Sequence, residues 1–287
     1  MKPASFDYVA PGTLGDALAL LAERGGDAKV LAGGQSLVPV LALRLASPAW
    51  LIDINRIGSL SGIRRLESGA LAIGALTRQR TVERSDVVAV ANPLLAAAMP
   101  WIAHVQIRNR GTIGGSLAHA DPAAELPGIC VACDAMATVQ SLRGRREIAA
   151  ADLFKGLFET ALAVDELLTE IRFPAWPAGR RHGFLEVARR HGDFAICGIA
   201  ATVDRDTGGR VADTRIVAIG VADRPVRLAG AERALIGTEG DRDAIEAASA
   251  AATCGLAARS DLHASSEYRK ELAQALTRRT LMQALPA

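Results

Sequence analysis

Ala32-Gly33-Gly34-Gln35-Ser36 and Thr112-Ile113-Gly114-Gly115-Ser116 lie about eighty residues apart, and the reading of the chain turns on this pair. Each follows a β-like or extended run and carries small or hydroxylated residues. Glycine lets backbone N–H groups turn inward and approach phosphate oxygens closely. Two such loops in one chain point to a pyrophosphate held from two sides, hence to a dinucleotide more than to a lone phosphate. Residues 28–31 read as a strand and 39–45 as a short helix. The first loop therefore sits between them, where a helix start adds unpaired N–H groups and a favourable dipole. Lys29 lies just upstream, within reach of a phosphate or ribose. Taken alone, an ordinary tight turn explains the first loop equally well.

Working outward, residues 13–24 place Leu14, Ala17, Leu18 and Leu21 at helical spacing, with Thr13 as N-cap and Gly25-Gly26 as the stop. Residues 50–54 form another strand, so residues 1–57 make a β/α unit. Between Gly62 and Gly74 the pattern is a hairpin around Glu67-Ser68-Gly69. Helices are expected to start at residues 77–80 and to run over 93–103. Residues 107–111 lead into the second Gly loop, and a further helix runs from Pro122 to about Asp134, with Asp121 as its N-cap. A hairpin at 137–149 and a strand at 166–173 follow. Two prolines and a glycine in residues 174–179 mark a boundary. Beyond it come three strand-like runs (184–189, 196–204, 214–221) and then helices (230–235, 242–254, 267–285). The pattern is α+β with mixed and antiparallel sheets.

Composition narrows the function classes. Half of the 287 residues are hydrophobic and 22% are charged, a globular balance with room for two domains or one large one. A net charge of +2 and an aromatic content of 4% give no case for a nucleic-acid partner. Four cysteines are too few for a disulfide scaffold of this size, and the chain is expected in a reducing cytoplasm. The N-terminus lacks the layout of a signal peptide. No uninterrupted apolar run is long enough for a membrane span: residues 87–103 come closest and are broken by Asn92, Pro93 and Pro100.

The remaining candidates each carry two readings. His119 is either a structural histidine or a pocket wall and hydrogen-bond donor. Glu125 either accepts hydrogen bonds from ribose hydroxyls or complements a helix dipole as a first-turn acid. Cys130 and Cys133 form a lone C-x-x-C in an apolar helical run and read as core packing. Arg189-Arg190-His191-Gly192-Asp193 is either a charged partner surface, with Asp193 paired to the arginines, or a solvated turn. The Gly-x-Ser-x-Gly elbow, the His-Glu-x-x-His zinc motif and the Gly-x-Gly-x-x-Gly fingerprint are all absent from the sequence.

Five strings together resemble one family: residues 29–37 (KVLAGGQSL), 107–116 (IRNRGTIGGS), 118–127 (AHADPAAELP), 168–174 (LTEIRFP) and 189–195 (RRHGDFA). In order and spacing over nearly the whole chain they resemble the FAD-binding medium subunit of the molybdenum hydroxylases, of the carbon monoxide dehydrogenase flavoprotein and xanthine dehydrogenase type. The resemblance implies a two-subdomain FAD-binding fold of vanillyl-alcohol-oxidase type over residues 1–175 (subdomains about 1–57 and 58–175). A small C-terminal domain with a three-stranded antiparallel sheet and helices would follow over 176–287. It places Ala32–Leu37 (Ala32, Gly33, Gly34, Gln35, Ser36, Leu37), Lys29, Leu31, Thr112, Gly114, Gly115 and Ser116 around FAD. Glu125 becomes an acidic FAD ligand, and Ile102 and Leu168 apolar neighbours of the flavin ring or adenine. Two positions depart from the pattern: Ser116 stands where many relatives carry Asn, and Leu185 where some carry Lys or Tyr beside the isoalloxazine. The implied role is electron transfer, with no acid or base required of this chain. A small subunit with [2Fe-2S] clusters would pass electrons to its FAD and a large subunit with a molybdenum cofactor would hydroxylate substrate, in a dimer of heterotrimers. A stand-alone flavin oxidase of the same superfamily and a non-catalytic nucleotide-binding module are the alternatives.

Overall fold

A computed structural model describes residues 2–286; Met1 and Ala287, the outer ends of the two expected domains, lie outside the described residues. The first unit contains β1 (Asp7–Val9), α1 (Leu14–Arg24), β2 (Ala28–Leu31), α2 (Leu37–Ala42) and β3 (Trp50–Asp53). Its three strands are parallel, in the order β1-β3-β2. Parallel neighbours need crossovers, and the two helices supply them. The caps of α1 follow the sequence reading: Thr13 Oγ1 accepts the Asp16 N–H at 3.2 Å, and Gly25 at φ +47° ends the helix.

The second unit opens with the hairpin β4 (Ile63–Arg65) and β5 (Leu71–Gly74). Six helices follow: α3 (Gln79–Glu83), α4 (Asp86–Ala91), α5 (Pro93–Ala98), α6 (Val105–Arg110), α7 (Ile113–His119) and α8 (Glu125–Ala132). Then come β6 (Met136–Ser141), β7 (Gly144–Ala149), α9 (Ala150–Leu153), the small hairpin β8 (Phe154–Gly156) and β9 (Glu159–Thr160), and β10 (Leu167–Phe173). The main sheet is antiparallel, in the order β4-β5-β10-β6-β7. The single helix expected over residues 93–103 is shorter: α5 gives way to a 3-10 turn at Met99–Trp101 and a left-handed Ala103 at φ +44°. Pro100 removes the N–H that an α-helix would need there.

The third unit is a sheet in the order β11-β12-β13-β14 (Arg181–Ala188, Ala195–Arg205, Val211–Ile219, Val226–Arg227), covered by α10 (Ala229–Leu235), α11 (Arg242–Ala251) and α12 (Ser266–Ala284). A two-residue fourth strand thus joins the three that were expected. β12 is buried from Ala195 to Val203 on both faces. Cys197, Ile199, Ala201 and Val203 face the core under α10–α12, whereas Ala200, Val217 and Ile219 join the core of the second unit. Successive side chains of a strand alternate between faces, so one strand serves two cores.

Helix α8 lies between those two bodies and is buried at all eight positions. It has no polar stripe because it has no solvent side. Its approach to the third unit is set by Gly128, where a Cβ would lie 2.3 Å from Cγ2 of the fully buried Ile219. Gly128→Ala is therefore expected to destabilise the full chain by about 1–3 kcal/mol through overpacking, read as a lower urea midpoint. An unchanged midpoint would show that α8 is not seated this tightly.

Candidate cofactor site

The first glycine segment leaves β2 at Leu31 and enters α2 at Leu37, as its sequence suggests. Gly34 is left-handed at φ +73°, and the Gln35 side chain bends back to donate to the Gly33 carbonyl at 3.3 Å. The backbone N–H groups of Gly33, Gly34, Gln35 and Ser36 reach no acceptor among the described residues. Four successive unpaired N–H groups form the kind of concavity that binds an anion. Leu31–Gln35 also form one wall of a cleft of about 410 Å³, completed by Val38, Pro39, Asp53, Asn55, Ile107 and Arg110.

The second segment differs from its expected form. It follows a helix, α6, rather than an extended run, and Gly114 and Gly115 lie inside the first turn of α7. Its N–H groups are already committed: Ile113 to Thr77 O (3.1 Å), Gly114 to Ala75 O (2.9 Å), Gly115 to Thr112 Oγ1 (3.0 Å) and Ser116 to Thr112 O (3.2 Å). A Cβ at Gly114 would stand 2.4 Å from the Ala75 Cβ and 2.8 Å from its backbone. Gly114 is thus required for packing α7 onto the chain after β5, and the expectation that its N–H points at a ligand is corrected. The Thr112 hydroxyl caps α7, and neither Thr112 nor Ser116 lines the cleft, which Ile107 and Arg110 border on this side. The two segments meet at Gly33, where a Cβ would lie 2.5 Å from the Arg110 carbonyl oxygen and 2.8 Å from the Gly111 Cα.

The other expected positions scatter. Lys29 is exposed on β2, and Leu37 is half-buried at the start of α2. Ile102 and Leu168 are buried together in the core of the second unit. The Ile102-Ala103 corner is held by Arg108, whose Nη1 donates to both carbonyls (2.6 and 2.8 Å) while Nε and Nη2 bond Glu83 (2.8 and 3.1 Å). Burial pushes the Glu83 carboxyl up, but hydrogen bonds from Arg108 and Arg80 outweigh it and hold the group below its ordinary value. Leu185 lies on β11. It packs with the core under α10–α12, as Val187 does, whereas Phe184 joins the core of the second unit. The regular alternation of β11 over residues 184–187 puts Glu186, not Leu185, on the face turned toward α8.

Glu125 opens α8 and is only 5% exposed. Burial pushes its carboxyl up to about 7. Burial, with the charge of Glu125, pushes Glu186 up to about 8, and Glu186 Oε2 is buried without a partner. Asp121 does not cap a helix at Pro122. Its Oδ1 accepts the Ala123 N–H at 2.9 Å, and α8 begins at Glu125. The Pro122 carbonyl is instead taken by the Gly220 N–H at 2.8 Å, which turns that stretch toward the third unit. His119 is half-buried against Phe158, ring centroids 5.0 Å apart, and burial lowers its pKa. Cys130 and Cys133 are buried core residues with thiols pushed up by burial, Cys133 to about 12. Asp193 is exposed and bonds none of the neighbouring arginine side chains among the described residues; its loop leans on His104, which stacks on His191 at 6.1 Å. The sequence reading missed Asn55, Arg78, Arg108 and Glu186. Strand alternation held a signal for Glu186 alone.

Two family models match the chain: the FAD binding domain in molybdopterin dehydrogenase over residues 4–176, and the CO dehydrogenase flavoprotein C-terminal domain over 182–284. The chain is 45% identical over 285 residues to the 6-hydroxypseudooxynicotine dehydrogenase complex subunit alpha of Paenarthrobacter nicotinovorans (99% of this chain, 96% of the relative). It is 43% identical over 286 residues to the nicotine 6-hydroxylase medium subunit of the same organism (99% of each). Among solved structures, a chain of the carbon monoxide dehydrogenase from Hydrogenophaga pseudoflava superposes with a TM-score of 0.95 at 40% identity, covering 99% of this chain and 98% of that one. The fold is that of a flavoprotein. The chain belongs to the family of FAD-binding medium subunits of molybdenum hydroxylases and is an oxidoreductase component with FAD as its cofactor. Among the described residues no helix is long and apolar enough to cross a membrane.

The acid pair yields a pH prediction. Glu125 and Glu186 ionise near 7 and 8 in the folded chain, against 4.5 ordinarily. Between those values the folded state binds more protons than the unfolded one, so stability is greatest at the acid end and falls as pH rises. The urea midpoint is expected to drop from about pH 5 to about pH 8.5, and less steeply in Glu186→Gln. An equally steep drop in that variant would remove Glu186 from the account.

Proposed function

We propose that this chain is the FAD-carrying electron-transfer subunit of a molybdenum hydroxylase. It accepts electrons from the [2Fe-2S] clusters of a small subunit and passes them to an external acceptor, while a large subunit with a molybdenum cofactor hydroxylates the substrate. The assembly is a cytoplasmic dimer of heterotrimers, with residues 1–175 as the FAD-binding part and 176–287 as the C-terminal domain. The observation that carries the reading is the run of four unpartnered N–H groups at Gly33–Ser36 beside a cleft of about 410 Å³. Bound FAD supplies the redox chemistry, and the protein binds, orients and shields it.

The chain's own residues take distinct parts. Gly33, Gly34, Gln35 and Ser36 offer N–H groups to the pyrophosphate, and Thr112 and Ser116 belong to the second segment that closes the site. Gly114 and Gly115 let α7 pack this closely. Lys29, Leu31, Ala32 and Leu37 frame the first segment. Glu125 accepts from ribose or ribityl hydroxyls, with Ile102 and Leu168 as apolar backing. The relatives' complexes are named for different substrates although their medium subunits align end to end with this chain. That agrees with a substrate pocket carried by another subunit.

The test is the visible spectrum of the purified full chain before and after FAD addition and gel filtration. Retained flavin absorbance, with FAD rather than FMN released on denaturation, is expected. Absence of flavin after reconstitution, in the chain alone and in its complex, would overturn the reading.

A further inference from the structure

The two glycine segments belong to different sheets, one following β2 and the other lying beyond β5, so their spacing is not fixed by any shared strand. Gly33 against the Arg110 carbonyl sets how near they can come. A steric stop does not hold two bodies together; an attraction is also needed. Arg78, just before α3, supplies one. Its Nη1 donates to the Arg110 carbonyl, and its Nη2 donates to Asn55 Oδ1 at 2.7 Å. Asn55 Nδ2 in turn donates to the Ala32 carbonyl at 2.8 Å. The main chain repeats the link to the second segment: the Gln79 N–H donates to the Gly111 carbonyl at 2.8 Å, and Arg78 and Thr112 form an isolated antiparallel bridge. One guanidinium therefore ties the end of α6 to the first glycine segment through a single asparagine.

The chemistry suits arginine. Its planar fork donates in two fixed directions, whereas a lysine ammonium is a point donor. Arg78 makes no ion pair with a carboxylate among the described residues. Burial and the neighbouring Arg110 charge hold its pKa below the ordinary value. A cation kept without an ion pair beside an anion-binding loop is the arrangement a pyrophosphate would neutralise.

We propose that Arg78 is a positioning residue of the FAD cradle: acting through Asn55, it sets the spacing between the Gly33–Ser36 N–H groups and the cleft wall at Arg110. This rests on the FAD reading above. Arg78 does not line the cleft itself, and its effect on the cofactor passes through the two segments it joins.

The experiment is a double-mutant cycle on the full chain. FAD affinity is titrated into deflavinated wild type, Arg78→Ala, Asn55→Ala and the double variant, with ³¹P spectra of the bound pyrophosphate and thermal midpoints recorded for each. Arg78→Ala is expected to raise the FAD Kd about tenfold to hundredfold and to move the ³¹P resonances, with Arg78→Lys intermediate in both. The double variant is expected to lose less affinity than the sum of the two single losses, because both act on one relay. Strict additivity, or an unchanged Kd and ³¹P spectrum in Arg78→Ala, would overturn the proposal. If Arg78→Ala does not fold, Arg78→Lys and Asn55→Ala decide it by the same two readouts. Wild type that binds no FAD, alone and in its complex, would overturn the functional reading instead, a separate result.

Discussion

Two backbones touch at Gly33, where only a hydrogen atom separates the first glycine segment from the carbonyl of Arg110 and the Cα of Gly111. The three-stranded parallel sheet and the five-stranded antiparallel sheet share no ladder; a small core that packs Leu18 and Ile52 with Leu76 and Leu167 joins them, and this contact and its tether set their spacing at the glycine segments. Any side chain at Gly33 would collide with the main chain at Arg110 and Gly111. The rest of the site follows from that closeness. Arg78 reaches both segments because they are close, and Gly114 lets α7 lie against Ala75. The two glycine pairs thus do different physical work: one leaves N–H groups free, and the other uses all of its N–H groups to anchor a helix.

The third unit is held by a comparable economy of space. Helix α8 is buried on every side, and its Gly128 meets Ile219 where most residues would collide. β12 supplies side chains to two cores at once, which makes the C-terminal sheet part of the FAD-binding body's interior. Arg269 secures its other side. The guanidinium is 4% exposed, donates to the carbonyls of Ile196 and Gly220, and bonds Asp261 at 2.5 Å. Burial at this junction is also what raises the pKa values of Glu125 and Glu186. The junction that holds Glu125 and Glu186 therefore makes the chain's stability depend on pH.

Much of the architecture was legible because its causes are local. Thr13 and Gly25 bracket α1 by capping, Glu67-Ser68-Gly69 turns the first hairpin, and β2 runs into its glycine segment within a few residues. The misread cap has a different cause. Asp121 looked like a cap because Pro122 suits a first helical position, yet the Pro122 carbonyl is claimed by Gly220, nearly a hundred residues away.

By itself the sequence determined the order of elements, the two glycine pairs and the set of strings that mark an FAD-binding medium subunit, because these depend on residues a few positions apart or on composition. Only the tertiary structure decided which glycine presents N–H groups and which packs a helix, which face of β11 meets α8, and that Arg78 and Asn55 join the two segments. The physical reason is that a backbone N–H is free or occupied according to what the folded chain brings near it. For Gly114 that acceptor is Ala75 and for Ile113 it is Thr77, both remote in sequence and adjacent only after folding.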